Sequence, residues 1–290
     1  MKHLLILVLL CIAFPCLSFS QNSVTGGYIK LIGIVIDNDS RLPLAYANIG
    51  ILNKPVGTVS DSTGRFALMA DDQILNDTLV ISMVGYTTVK RTIQELKHIS
   101  GPIKFMLNKN TIVLNEVTVS NEFLHTQIVG RQSTGMFLQA SIIPKGQKLP
   151  IIGAESGLRV QAKHYPALLK DFNFYVSGNN FKFIKFRLNF YSLKNNLPDT
   201  LLLNKEVFVD IRDYKTGWNK VDLSAFNIIV KADFALTLQW VDYNRDLKAE
   251  PQILIPTAIS FSQLNYFRTT SQDKWNKIKA SCSYFVSLKY

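Results

Sequence analysis

The chain has 290 residues, of which 47% are hydrophobic and 18% are charged. This length accommodates two domains, and this composition is too apolar for a disordered chain. Lys and Arg total 32 against 21 Asp and Glu, which gives a formal net charge of +11. Such an excess indicates either a solvated basic surface or attraction to an anionic surface, such as lipid head groups or envelope polymers.

Residues 1–20 have the features of a secretory signal peptide. Lys2 precedes the apolar stretch Leu4–Phe14, and the small residues of Leu17–Ser20 predict cleavage before Gln21. The apolar stretch is shorter than the roughly 20 residues that span a bilayer, so we expect no transmembrane segment after cleavage. Lipidation of Cys16 is the alternative, although a proline directly before it fits lipoprotein processing poorly. Export also makes nucleic acid an unexpected partner.

The stretch from residue 28 to residue 107 alternates short β-rich segments with turn sequences. Asp61-Ser62-Thr63-Gly64 predicts a tight turn, because Asp bonds the backbone two residues on and Gly accepts a positive φ. Two strands are expected after this turn, at Gly64–Met69 and Leu79–Val84. About seven such strands with regular turn signals predict an antiparallel sandwich. The one helical turn we expect is Ile93–His98.

The order G-I-V-I-D, turn, L-P-L-A-Y-A-N-I, G-T-V-S-D-S-T-G-R-F-A-L, D-T-L-V-I-S-M-V-G-Y resembles the carboxypeptidase-like regulatory domain. This resemblance implies a seven-stranded prealbumin-like β-sandwich over residues 28–107. From the residue itself, we expect Tyr86 to pack its ring and to reach a backbone group with its hydroxyl. The resemblance also implies an exported protein of the periplasm, outer membrane or cell surface, because the module is frequent in Gram-negative exported proteins and extends many TonB-dependent receptors. The residues that match the family pattern are Gly33, Asp37, Pro43, Ala47, Gly57, Thr58, Asp61, Gly64, Phe66, Leu79, Gly85 and Tyr86.

The sequence contains no recognisable catalytic or metal-binding motif. A zinc peptidase needs a His-x-x-Glu pair and a distant His, but none of His98, His125 and His164 starts such a pair. Phosphate loops, dinucleotide fingerprints and G-x-S-x-G elbows are also missing from the sequence. We therefore predict no catalytic residues, no cofactor and no metal. Cys282, the one thiol after signal cleavage, lies in an alternating segment and is predicted to be a small buried residue.

The second half of the chain also has the pattern of a β-sandwich. Residues 108–152 are predicted to be a linker with connecting strands, including a strand at Ile112–Val119. Residues 153–290 then predict a C-terminal jelly-roll-like sandwich of eight or nine strands, so the fold class is all-β. The sequence G-W-x-x-V-D-L at 217–223 is generally similar to galactose-binding-type jelly rolls, and this similarity concerns architecture only.

Phe181–Tyr191 is the most informative segment of the second half. Its alternating side chains predict one long strand, and a change of phase at Phe183–Ile184 predicts a bulge. Lys185 and Arg187 oppose the apolar side chains, so we expect them on the solvent face. The alternative is that they form part of an anion- or glycan-binding surface.

Four residues make up the predicted ligand surface: Trp218, Trp240, Lys185 and Arg187. Trp218 and Trp240, with Trp275, are candidates for stacking on a sugar, and core packing is the alternative role. The expected function is a non-catalytic exported envelope protein that binds a glycan or a protein. An accessory partner of a TonB-dependent receptor-type system is the first alternative, and a hydrolase with an unrecognised site in the C-terminal domain is the second.

Overall fold

The structure is a computed structural model that describes residues 27–110, 125–135, 138–141, 152–245 and 251–290. The predicted signal peptide and the predicted strand Ile112–Val119 lie outside these residues. The described part is nearly all β, which confirms the all-β fold class. The boundaries of the four predicted segments stay a prediction.

Seven strands form the N-terminal sandwich. They are β1 (Tyr28–Asp37), β2 (Asn48–Ile51), β3 (Gly57–Val59), β4 (Arg65–Asp71), β5 (Thr78–Ser82), β6 (Val89–Thr92) and β7 (Ile103–Leu107). One sheet has the order β4-β1-β7 and the other β3-β2-β5-β6. Side chains alternate between core and solvent along β4, so Phe66 and Leu68 pack inside against Ile49 and Ile81 of the other sheet's core face.

Local signals in this half of the chain are confirmed. The Asp61 carboxylate accepts hydrogen bonds from the backbone N–H groups of Thr63 (2.8 Å) and Arg65 (3.0 Å), and Gly64 has a φ of 76°. A 3-10 turn (Asp72–Ile74) and the helical turn α1 (Ile93–Leu96) complete the sandwich.

Tyr86 differs from the expectation, because its hydroxyl donates to a side chain and not to the backbone. The acceptor is the Asp37 carboxylate at 2.9 Å, and the same carboxylate accepts from the N–H groups of Asp39 (2.9 Å) and Ser40 (2.7 Å). The Ser40 N–H contributes most to lowering the pKa of Asp37, and the Tyr86 hydroxyl lowers it further. Burial, together with Asp37, raises the pKa of Tyr86 to about 12.

The described C-terminal part contains sixteen strands, of which several have only two or three residues. They are β8 (Thr126–Gly130), β9 (Leu138–Ser141), β10 (Glu155–Val160), β11 (Ala167–Val176), β12 (Gly178–Asn179), β13 (Phe181–Lys194), β14 (Leu197–Leu201), β15 (Val207–Arg212), β16 (Gly217–Asp222), β17 (Ile229–Val230), β18 (Phe234–Arg245), β19 (Ile253–Ile259), β20 (Asn265–Arg268), β21 (Asn276–Ile278), β22 (Ala280–Cys282) and β23 (Tyr284–Lys289). Fourteen of them, β10 to β23, lie within residues 153–290, where eight or nine were expected; segments of two or three residues show no alternation in the sequence. A 3-10 turn lies at Ser224–Phe226.

These strands form three sheets around one core. A large sheet has the order β14-β13-β18-β10-β20-β21, with β15 also paired to β13. It faces the sheet β16-β11-β23-β8, and a third sheet, β12-β19-β22 with β9, continues that opposite layer. β8 and β9, which lie in the predicted connecting segment, therefore pair within the C-terminal sandwich.

The two sandwiches stack face to face through one sheet of each. Gly50 on β2 and Gly57 on β3 face away from the N-terminal core, and a Cβ atom on them would lie 2.1 and 2.3 Å from the Ser271 carbonyl oxygen. The neighbouring Gln272 donates to the Ser82 hydroxyl at 2.7 Å, and its carbonyl oxygen accepts from the Asn53 N–H at 2.9 Å. Only a residue without a side chain fits at these two glycine positions.

Candidate functional site

The structure corrects the prediction that Arg187 lies on the solvent face. β13 is one long strand, as expected, with register shifts on either side of the predicted bulge, at Phe181/Phe183 and Lys185/Phe186. Arg187 does oppose the apolar side chains, but it is 0% exposed. The reason is that the N-terminal sandwich covers this face of the large sheet.

The Arg187 guanidinium group joins the two sandwiches. It donates to two groups of the N-terminal sandwich, the Tyr46 carbonyl oxygen (2.9 Å) and the Asn48 Oδ1 atom (2.9 Å). Within its own sandwich it donates to the Gln239 Oε1 atom (2.6 Å) and forms an ion pair with Glu206 (2.9 Å). Every side of the guanidinium group is therefore bound by protein.

A second buried carboxylate, that of Glu155, lies further along the same face. Its Oε2 atom accepts two hydrogen bonds from Arg268, at 2.9 and 2.6 Å. Its Oε1 atom accepts from Asn189 (2.8 Å) and from the Thr237 hydroxyl. The Tyr191 hydroxyl lies 3.4 Å from Oε2. All four lone-pair regions of this carboxylate are thus satisfied.

These groups form one interdomain polar cluster. Gln239 links its two halves, because Asn189 donates to it at 3.2 Å and it donates to Asn48 at 2.9 Å. Ser271 also donates to Asn48, at 3.1 Å. The cluster consists of Asn48, Glu155, Arg187, Asn189, Tyr191, Glu206, Thr237, Gln239, Arg268 and Ser271.

The charged groups of the cluster neutralise each other. Two arginines face two glutamates, so the formal charges cancel. Burial raises the pKa of Glu206, and Arg187 opposes this shift. Burial would lower the pKa of Arg268, but the adjacent Glu155 carboxylate raises it above the ordinary value. The members of the cluster are paired with each other and, apart from the partly exposed Glu206, are buried, so the cluster links the two sandwiches.

Trp240, the second predicted ligand residue, is also buried and therefore not a sugar-stacking residue. It belongs to the core of the C-terminal sandwich and packs edge-on against Phe181 (5.0 Å between ring centroids) and Phe186 (5.6 Å). Its indole N–H donates to the Asp242 carbonyl oxygen at 3.1 Å. The alternative given for it, core packing, is what the structure shows.

Lys185 lies at the border of the covered face. Its ammonium group pairs with Asp210 at 2.6 Å and lies 5.3 Å from the centre of the Phe208 ring. Phe208 in turn packs edge-on against Tyr46 of the N-terminal sandwich, at 5.6 Å. Lys185 lies on β13 of the large sheet, whereas Trp218 lies on β16 of the opposite sheet. The four predicted residues therefore do not form one surface.

Trp218 is the predicted residue that remains available to a ligand. It is 36% exposed and lies on the outer face of the sheet β16-β11-β23-β8, on the far side of the C-terminal core from the interdomain polar cluster. Tyr175 on β11 and Phe285 on β23 hold its ring edge-on, at 5.3 and 5.1 Å between centroids. We call these three residues the aromatic cluster.

Polar groups surround the aromatic cluster on the same face. Lys220 forms an ion pair with Asp171 at 3.1 Å, and Asn173 donates to the same carboxylate at 2.6 Å. Within the described residues, no protein acceptor binds the Trp218 indole N–H, so this donor is available to a ligand. A partly exposed indole with charged and amide groups beside it has the composition of a surface that recognises polar rings.

Two shallow depressions elsewhere are less suited to a ligand. Their volumes are about 370 Å³, beside Phe183 and Arg212, and about 540 Å³, beside Arg159 and Asp233. In the larger one the polar groups bind each other, since Arg159 pairs with Asp233 at 2.5 Å and the Tyr165 hydroxyl donates to the same carboxylate at 2.7 Å. Burial, together with Asp233, raises the pKa of Tyr165 to about 12, which makes it a poor proton donor or acceptor at neutral pH.

The remaining residues singled out in the sequence have no chemical role in the described structure. His98, His125 and His164 are exposed, and the rings of His125 and His164 lie 5.7 and 5.0 Å from the Tyr290 ring. No group of three metal-ligating side chains occurs in the parts of the chain that the structure describes. Cys282 is buried, as predicted, and its Sγ atom accepts from Asn265 at 2.8 Å. Burial raises the pKa of the Cys282 thiol, which favours its protonated form.

The fold defines an all-β chain of two sandwiches, and a comparison with family models identifies the first of them. The model of the CarboxypepD_reg-like domain matches residues 31–119, so the N-terminal sandwich belongs to this family of regulatory, non-catalytic domains. The resemblance seen in residues 28–107 is thereby confirmed. No curated protein matches the chain.

A comparison with solved structures finds distant similarities, including these two. One contains the cysteine protease and lectin-like domains of Cwp84, a surface-layer-associated protein of Clostridium difficile, with 8% identity and a TM-score of 0.40 over 90% of this chain. The other is BcpA, the major pilin subunit of Bacillus cereus, with 12% identity and a TM-score of 0.19 over 88% of this chain. The chain spans 58% of the Cwp84 structure and 69% of BcpA. Similarities this distant carry no argument about function.

Sequence reasoning missed most of the interdomain polar cluster. Glu155, Thr237 and Gln239 were not among the predicted site residues. Part of the signal was present in the sequence, since Asn189, Thr237 and Gln239 place amides and a hydroxyl on the polar faces of two long strands, and such groups pair well when buried. Among the described residues, no helix is long and apolar enough to cross a membrane.

Proposed function

We propose that this chain is a non-catalytic carbohydrate-binding protein of the cell envelope, and that the aromatic cluster of Tyr175, Trp218 and Phe285 is its binding site. The observation that carries the proposal is the Trp218 ring, which is partly exposed and fixed edge-on by two neighbouring rings. A sugar presents C–H groups on one face, and a fixed aromatic ring can pack against them without a further cost in side-chain entropy.

Two further features support this site. The adjacent ion pair of Lys220 and Asp171 offers a donor and an acceptor to sugar hydroxyl groups, and the buried amide of Asn173 holds the Asp171 carboxylate in place. The interdomain polar cluster occupies the opposite face of the C-terminal sandwich, so a ligand on the aromatic cluster does not compete with the N-terminal sandwich. Export of the chain, predicted from residues 1–20, would bring this surface to envelope glycans.

The test is binding of the chain without its predicted signal peptide (residues 21–290) to a glycan array, followed by calorimetry with the best ligand. Truncation of a tryptophan anchor costs about 2 kcal/mol or more, so Trp218→Ala should weaken binding by roughly thirtyfold. The matched control is Phe226→Ala, because Phe226 is 37% exposed and lies beyond the opposite end of β16. Equal binding by both variants, or no glycan bound by the unmodified chain, would contradict the proposal.

A further inference from the structure

Three exposed apolar side chains lie together at one edge of the C-terminal sandwich. Phe261 is 90% exposed, Ile259 is 72% exposed and Ile278 is 52% exposed. Single exposed apolar residues are ordinary on protein surfaces, but neighbouring ones mark interaction sites. We call this group the apolar edge.

Backbone pairing brings the members of the apolar edge together. The loop of residues 260–264 joins β19 to β20, and Phe261 is its second residue. The Ser260 N–H donates to the Lys279 carbonyl oxygen at 3.2 Å, which places the start of this loop beside the residue that follows Ile278. Within the loop, the Gln263 N–H donates to the Ser260 hydroxyl at 3.0 Å. The loop that carries Phe261 is therefore held beside Ile278, at the junction of β21 and β22.

The charge around the apolar edge is positive. Lys277 and Lys279 flank Ile278, are exposed, and form no ion pair among the described residues. Between residues 251 and 290 the sequence has one acidic residue, Asp273, and it accepts a hydrogen bond from the Thr269 hydroxyl at 2.6 Å. A second copy of the chain would bring these lysines against each other, so charge complementarity calls for an anionic partner.

We propose that the apolar edge inserts into the head-group region of an anionic phospholipid bilayer. Phe261 is the deepest side chain, and Lys277 and Lys279 contact lipid phosphates. A bilayer surface supplies an apolar layer directly beneath a negatively charged one, which is the combination that an aromatic tip with flanking lysines fits. This site is separate from the aromatic cluster, so the inference goes beyond the proposed glycan binding.

The experiment measures partition of residues 21–290 onto vesicles by sedimentation. Vesicles of phosphatidylcholine and phosphatidylglycerol in equal parts should bind the protein, and vesicles of phosphatidylcholine alone should not. Phe261→Ser should lower the partition coefficient about tenfold, from the free energy of burying part of a phenylalanine side chain. The double variant Lys277→Glu/Lys279→Glu should lower it by at least about twentyfive-fold, because each basic residue contributes roughly a factor of five.

The control variants make the same changes on the N-terminal sandwich. Tyr28→Ser removes an aromatic side chain that is 76% exposed, and Lys30→Glu/Lys104→Glu changes the net charge by the same amount. Both should bind anionic vesicles like the unmodified chain. An unchanged unfolding temperature of Phe261→Ser will show that its loss of binding does not come from misfolding.

Several outcomes would overturn the inference. They are no binding of the unmodified chain to anionic vesicles, equal binding to neutral vesicles, and full binding by Phe261→Ser. A further such outcome is binding of the protein to an acidic polysaccharide that depends on Lys277 and Lys279 but not on Phe261. It would show that the two lysines bind an anionic polymer and not a bilayer. Trp218→Ala should leave vesicle binding unchanged, so the two proposed sites can fail independently.

Discussion

Replacing Arg187 with methionine removes the guanidinium group that joins the two sandwiches but keeps most of the apolar side-chain volume. The Glu206 carboxylate then loses its cation, and the Tyr46 carbonyl oxygen loses its hydrogen-bond donor. Asn48 keeps hydrogen bonds from Gln239 and Ser271, and Gln239 keeps one from Asn189. The damage is therefore concentrated on two acceptors.

The magnitude follows from these two losses. Removing one partner of a buried ion pair costs about 3–5 kcal/mol, and the lower value applies because part of the Glu206 side chain reaches solvent. The unsatisfied Tyr46 carbonyl oxygen adds about 1 kcal/mol. A total of about 4 kcal/mol corresponds to a fall in Tm of roughly 8–16 °C for a protein of this size.

Thermal unfolding followed by circular dichroism measures this change, and Lys185→Met is the matched control. Lys185 lies on the same strand and face but pairs with Asp210 at the border, so its loss should cost about 1 kcal/mol or less. The double variant Arg187→Met/Glu206→Gln should unfold at a higher temperature than Arg187→Met alone, because it no longer contains an unpaired carboxylate. A loss for Arg187→Met no larger than that of Lys185→Met would refute the assignment of Arg187 as the group that joins the sandwiches.

Two further predictions concern the N-terminal sandwich. Asp37 has a lowered pKa in the folded state, so its contribution to stability is present above about pH 4 and is lost as the pH falls through the folded-state pKa. Tyr86→Phe removes one cause of that shift, so acid unfolding followed by circular dichroism should have its midpoint at a higher pH, and an unchanged midpoint would count against it. Gly50→Val places a side chain where a Cβ would be 2.1 Å from the Ser271 carbonyl oxygen, so small-angle scattering should show a more extended chain with both sandwiches folded. Gly135→Val is the control, since the nearest atom to its Cβ is 3.7 Å away, and equal dimensions for both variants would contradict the docking geometry.

The fold was predictable where the cause of the structure is local. The turn at Asp61–Gly64 depends on one carboxylate and one positive φ, both of which are visible as residue types. β13 and β18 alternate apolar and polar side chains over most of their length, so their existence and their core faces follow from periodicity. Strands of two or three residues, such as β12 and β17, depend on tertiary pairing and leave no periodic signal.

The candidate site was predictable only in part, because alternation tells which face of a strand is polar but not what covers it. Lys185 and Arg187 have the same phase and opposite environments, one at the border and one beneath the N-terminal sandwich. Trp218 and Trp240 are both tryptophans in β-strands, yet only Trp218 points away from the core. The first difference comes from where the N-terminal sandwich packs, of which a single sequence contains no direct record. The second follows from alternation, since Trp240 shares its face with Leu236 and Leu238 and Trp218 shares its face with Lys220.

The contact between the two sandwiches also limits which related domains could replace the N-terminal one. The N-terminal sandwich meets its neighbour through donors and acceptors that are matched atom by atom. A related domain in its place would need an amide side chain at the position of Asn48 and glycine at the positions of Gly50 and Gly57. Without them, Arg187 and Gln239 would face groups that cannot complete their hydrogen bonds. The two halves therefore constrain each other's sequences, and an exchange of the first domain has to carry its contact residues with it.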